Sequence, residues 1–282
     1  MNTIFYKIFL KNLAKTNAIS YYKTNDISFR EMGKMRIIQN GYLYQVTFMA
    51  KVFPVNCYLV EEDDGLTLID AALDFGKKGI IQVAEKIGKP ITKIVLTHAH
   101  EDHVGALDSL KEILPDVQVY ISVRDSRLMS GDRSLDAHEE QTPIKGGVPK
   151  NLKTRADVLL KEGDFVGSLQ AFETPGHTPG SMSFLDTRTN AVIAGDAFQT
   201  RGGIAVSGDM KLFFPFPAFA TWSKKAALAS AKKLVNLKPS LLAVGHGELV
   251  ENPFHAMTTA IKNMEQKINK GAYRCHQDQD LH

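Results

Sequence analysis

Five histidines and two aspartates carry the chemistry that can be read in this sequence, and four of the seven fall within six positions. They stand in Thr97-His98-Ala99-His100-Glu101-Asp102-His103-Val104-Gly105, between an apolar stretch and the start of a helical pattern. Imidazole nitrogen and carboxylate oxygen are donors that suit zinc and its neighbours, and no cysteine lies close enough to make a softer site. In an extended loop His98 and His100 project to the same side, whereas Asp102 and His103, entering a helix, turn toward a second point. One short loop can thus feed two metal ions. A single histidine is ordinarily a packed or solvated side chain, but four ligand-competent groups at this spacing point to metal.

Three further candidates sit in turns that follow apolar runs, where alternating strand and helix folds collect their functional groups. His177 occupies the doubled Pro-Gly frame Thr174-Pro175-Gly176-His177-Thr178-Pro179-Gly180-Ser181, Asp196 follows Gly195, and His246 stands between Gly245 and Gly247. Each of these is, alone, what a turn would also look like. Their common placement after strands, in a chain that carries the first segment, makes them candidate ligands.

The elements that must position these groups alternate along the chain. Apolar strands are expected at 42–48, 57–60 and 66–69, the last ending in Asp70. A helix at 77–87 buries Ile80, Val83, Ala84 and Ile87 at helical spacing and stops at Gly88 and Pro90. A strand at 93–96, a helix at 104–114 and a strand at 117–121 complete the first half. Residues 130–153 lose any period and read as an insertion near the site. Strands at 158–160, 169–173, 182–185 and 191–193, a helix at 222–237, a strand at 241–244 and a helix at 255–269 repeat the pattern. Two packed sheets with helices outside satisfy all these faces.

Residues 1–34 differ from the rest: Lys7, Lys11 and Lys15 recur beside Ile4, Phe5, Ile8 and Leu13, as in a basic amphipathic helix. They are expected to form an accessory arm that packs on the body or on a second subunit in preference to a membrane surface. A main domain over 35–270 and a polar tail over 271–282 follow. The formal net charge of +3, from 34 basic and 31 acidic side chains, is too balanced for a nucleic-acid footprint, so a small-molecule substrate is expected. Only two cysteines occur, Cys57 and Cys275, which favours a reducing, cytoplasmic setting over a disulfide framework. No run approaches the roughly 18 apolar residues of a membrane span. The segment Lys211-Leu212-Phe213-Phe214-Pro215-Phe216-Pro217-Ala218-Phe219 is apolar and stiff; it can wall a pocket for an apolar group, pack in the core or form a homodimer contact.

From about residue 41 to residue 269 the chain resembles the metallo-β-lactamase superfamily, through the H-x-H-x-D-H element at 98–103 and the later His, Asp and His in order. The resemblance implies an α/β fold, an αβ/βα four-layer sandwich of two mixed sheets flanked by helices. It implies that His98, His100 and His177 bind one metal, that Asp102, His103 and His246 bind a second, and that Asp196 bridges them. Asp70 matches an aspartate that orients a ligand from behind. The implied cofactor is a pair of zinc ions, with iron or manganese as substitutes. Two ions about 3.5–4 Å apart can lower the pKa of a shared water to about 7, giving a hydroxide that attacks the carbonyl of a small ester, lactone, thioester or amide. Asp102 and Asp196 are the carboxylates expected to take part, Asp196 either by moving a proton or only by bridging. No tyrosine lies between Asp196 and His246, where lactonases of the superfamily place one, and Gly195-Asp196-Ala197-Phe198-Gln199-Thr200 lacks the usual glyoxalase II continuation. Two other readings stand beside hydrolysis: an iron-dependent oxidoreductase resembling sulfur dioxygenases, and a non-catalytic metal-binding module.

Overall fold

The structure, a computed structural model, describes residues 35–279. The arm at 1–34 and His282 lie outside the described residues. The first sheet has seven strands in sequence order: β1 (Met35–Asn40), β2 (Leu43–Phe48), β3 (Val55–Glu62), β4 (Gly65–Ile69), β5 (Ile91–Val95), β6 (Gln118–Ser122) and β7 (Val158–Leu160). Strands β1 to β4 pair antiparallel, and β4 to β7 pair parallel. Helices α1 (Lys77–Ile87), α2 (Glu101–Val104), α3 (Leu107–Ile113) and α4 (Asp125–Met129) lie between these strands in the chain.

The second sheet is built from β8 (Phe165–Val166), β9 (Leu169–Glu173), β10 (Met182–Asp186) and β11 (Ala191–Ile193), joined by β14 (Leu241–Ala243) and β15 (Val250–Glu251). A separate ribbon pairs β12 (Phe198–Gln199) with β13 (Ala205–Val206). Helices α5 (Phe216–Ala220), α6 (Lys224–Asn236) and α7 (Phe254–Gln279) complete this half.

Period-two alternation along the strands makes the four layers. Tyr58 and Val60 of β3, Phe184 of β10 and Ile193 of β11 meet in the cluster between the sheets. Cys57 and Leu59 of β3 face the other way, with Ile80, Val83 and Leu110 from α1 and α3. Val192 of β11 and Leu242 of β14 likewise face outward onto Ala227, Ala231, Met257 and Met264 of α6 and α7. Burying each large apolar side chain contributes about 1.5–3 kcal/mol, so three continuous clusters outweigh the short length of many strands.

The helix expected at 104–114 is two helices, α2 and α3, because His103 and Gly105 clasp the turn after β4: Ala71 N donates to His103 O at 2.6 Å and Gly105 N to Ala72 O at 2.8 Å. The final helix runs on to Gln279, into the segment read as a polar tail. Among the described residues, 130–157 form no helix or strand, as expected of the insertion. No described helix is long and apolar enough to cross a membrane.

Candidate metal centre

Six strand ends deliver the site. Asp70 follows β4, Thr97 to His103 follow β5, Asp125 follows β6, His177 follows β9, Asp196 follows β11 and His246 follows β14. All seven candidate ligands come together there. Ligand atoms of His98, His100 and His177 lie within 4.8 Å of one another, as do those of Asp102, His103 and His246. Asp196 stands between the two sets, with Oδ2 3.2 Å from Nε2 of both His177 and His246 and Oδ1 3.5 Å from His103 Nε2. The rings of His98 and His103 sit 4.1 Å apart, so the two sets abut. Six of the seven are buried, and Asp102 alone keeps a side chain 22% exposed.

Each imidazole is tied from behind through one nitrogen, which fixes its tautomer and leaves the other facing inward. His98 Nδ1 pairs with Thr97 Oγ1 at 3.0 Å, and Thr97 Oγ1 donates in turn to Asp70 Oδ2 at 2.8 Å. His103 Nδ1 donates to Asp70 Oδ2 at 2.7 Å. His246 Nδ1 donates to Pro54 O at 2.7 Å, and His100 Nε2 to Lys145 O at 3.0 Å. His177 Nδ1 pairs with Ser207 Oγ at 3.0 Å. The irregular insertion therefore does reach the site, through the Lys145 carbonyl. Asp70 adopts φ 61°, in the left-handed region that aspartate tolerates, and this turn aims both carboxylate oxygens at Thr97 and His103. Gly245 is required by close approach: a Cβ there would come 2.1 Å from Asp196 Oδ1.

The inward-facing atoms fit a cation. His98 Nε2, His103 Nε2 and Asp196 Oδ1 are buried without a hydrogen-bond partner among the described residues. An unsatisfied buried polar atom costs about 1–3 kcal/mol, and a cation ligated by all three would offset that cost. The donor set of five imidazole nitrogens and two carboxylates suits a borderline transition metal. A further grouping, Asp136, His138 and Glu139, is on the surface, where Arg124 and Arg127 already pair with its carboxylates.

The two sets differ in charge. Burial lowers the proton affinity of His98, His100 and His177, the last to about 3. Burial opposes charge on His103 as well, but Asp70, Asp196 and Asp102 around it override this and hold it up at about 9. His246 is raised in the same way, against its burial, by Asp196 and Asp102. Those two carboxylates are correspondingly held well below the usual range, by His103 and His246 around Asp102 and by His246, His103 and His177 around Asp196, despite burial.

Several positioning groups had no sequence motif. Asn56 Nδ2 donates to the carbonyls of Val244 and Gly247 at 2.8 and 2.9 Å, and Tyr58 Oη to Val244 O at 2.6 Å, pinning the His246 turn from the first sheet. The signal available was a polar residue, Asn56, directly before the apolar run 57–60 of β3. Asp125 is buried, which raises its carboxyl to about 6 against the hydrogen bonds from Thr178, Ala99 and Gly180. The aromatic segment divides in two. Phe214 is buried and its ring lies 5.6 Å from that of His246, beside Phe53 at 5.2 Å, whereas Leu212 and Phe213 are more than four-fifths exposed.

A fold of two mixed sheets between helix layers, with this ligand set at the strand ends, defines a class. The sequence profile of the metallo-beta-lactamase superfamily matches residues 50–246, and the chain belongs to that superfamily. It is 57% identical over 237 residues to the YobT protein of Bacillus subtilis, covering 84% of this chain and 100% of that one. It is 28% identical over 155 residues to the hydroxyacylglutathione hydrolase GloC of Haemophilus influenzae, covering 54% of this chain and 70% of that one. Among solved structures it is similar to TTHA1623 in a di-iron-bound form, with 32% identity, a TM-score of 0.52, and coverage of 72% of this chain and 92% of the other.

Proposed function

We propose that the chain is a hydrolase that works with two metal ions on the carbonyl of a small ester, lactone, thioester or amide. The observation that carries this reading is the trio of buried, unpartnered atoms, His98 Nε2, His103 Nε2 and Asp196 Oδ1, enclosed by two sets of ligand-competent side chains. The metals would supply a Lewis acid for the carbonyl and an acidified water as nucleophile. His98, His100 and His177 would hold one ion, and Asp102, His103 and His246 the other. Asp196 reaches both sets and has the geometry either to bridge or to carry a proton. Phe53, half-buried and backed by the buried Phe214, places an apolar ring beside His246, which favours a substrate with an apolar end. The donor set favours zinc, and the two cysteines, of which Cys57 is a buried free thiol, favour a reducing cytoplasm.

The test is a panel of lactones, thioesters and esters of graded chain length, incubated with the full chain before and after chelation. Hydrolysis of at least one class should vanish on chelation and return with added zinc. A metal-loaded protein silent on every carbonyl substrate would overturn the proposal. The di-iron-bound relative favours one other reading, an iron-dependent oxidoreductase. Bound iron together with oxygen consumption would establish it in place of hydrolysis.

A further inference from the structure

Outside the seven ligand candidates, one buried carboxylate joins the two loops that carry His98, His100 and His177. Asp125 opens α4 at the end of β6 and is fully buried. Its Oδ2 accepts from Ala99 N at 3.0 Å, the amide between His98 and His100, and from Thr178 Oγ1 at 2.7 Å, next to His177. Its Oδ1 accepts from Gly180 N at 2.9 Å. Ser122 completes the joint, accepting from Asp125 N at 2.9 Å and donating to Gly180 O at 2.6 Å. There is no slack: a Cβ on Gly180 would lie 2.4 Å from Asp125 N and 2.7 Å from its Oδ1. All three donors to the carboxylate come from the two ligand loops.

We propose that Asp125 is a positioning residue for the three-histidine half of the centre. It acts through backbone and Thr178, touching no imidazole, and sets the distance between the His98 and His100 pair and His177. The inference rests on the reading of this cluster as a metal centre. A carboxylate suits the role because it is acceptor-only, so three donors can converge on its two oxygens; an asparagine of the same shape turns an NH2 group toward at least one of them. Asp108 provides an internal control. It accepts from Lys153 N at 3.0 Å and from Thr154 N and Oγ1 at 2.7 and 2.6 Å, the same kind of joint made away from any ligand loop.

The experiment is competition for zinc between a chromophoric chelator and the full-length chain, in wild type, Asp125→Asn, Thr178→Val and Asp108→Ala, with thermal unfolding of each metal-free protein alongside. Asp125→Asn should weaken one metal equivalent by about 10-fold, the low end of the range for groups bonded directly to a ligand, and leave the other unchanged. Thr178→Val, which removes one donor, should weaken the same equivalent less. Asp108→Ala should lower the melting temperature with both affinities intact. Wild-type affinities in both Asp125→Asn and Thr178→Val, or equal weakening of both equivalents, would overturn the role of Asp125. A wild-type chain that takes up no zinc would instead overturn the metal centre itself.

Discussion

Around His98, His100 and His177 the protein keeps imidazoles neutral by burying them, whereas around His103 and His246 it surrounds them with Asp70, Asp102 and Asp196 and draws protons in. The same ring serves both halves, yet burial sets its protonation in the first and neighbouring carboxylates set it in the second. In the three-histidine half the candidate ligands are neutral, and the loops that carry them are joined by the hydrogen bonds of Asp125. In the carboxylate half, the ionised groups hold one another, and a metal must displace protons to enter. The contrast teaches that a ligand set can be complete in composition while its two parts depend on different physics.

The largest effect that can break this contrast lies in the pH dependence of the metal-free protein. His177, depressed from 6.5 to about 3, favours the folded state above 6.5 and gives up that contribution as pH falls from 6.5 toward 3. His103, raised from 6.5 to about 9, contributes fully below 6.5 and loses its contribution as pH rises through about 9. Stability of the chelated protein should therefore peak near pH 6.5 and fall on both sides, with an alkaline limb on the order of a few kcal/mol. Metal should abolish that limb, since ligation needs the neutral ring. Denaturant titrations from pH 5 to 9 with and without metal check this, and an alkaline limb that is absent, or unchanged by metal, would erase the distinction between the halves.

A smaller effect sharpens it. Asp70→Asn keeps the shape behind His103 but removes the charge, so hydrolysis and affinity for one metal equivalent should fall by about 10- to 100-fold. The alkaline limb should shrink in the same variant. The other equivalent should weaken less, because Asp70 reaches His98 only through the Thr97 hydroxyl, and chelator competition reads both affinities at once.

The convergence of the seven candidate ligands was legible because their chemistry is local: four sit within six residues, and the rest follow strands whose apolar runs mark their ends. Helix α1 was legible for the same reason, since Ile80, Val83 and Ala84 share one face and Gly88 ends it. What escaped depends on partners distant in the chain. Asp125 meets Ala99 at a separation of 26 and Thr178 at 53, and nothing around it forms a motif. Strand β1 escaped because its residues are mostly half-buried, giving no clean alternation, and its place comes from pairing with β2. The two-residue strands β8, β12, β13 and β15 are too short for any period and exist only through their neighbours. The break between α2 and α3 comes from tertiary hydrogen bonds to Ala71 and Ala72 that override a continuous helical pattern.

The most direct measurement is elemental analysis of the purified chain beside His177→Ala and His246→Ala. The wild type should hold about two transition-metal equivalents and each variant about one, because each substitution would open a different half of a two-metal site. A wild type that holds no metal and takes none up, or variants that both keep the full complement, would contradict it.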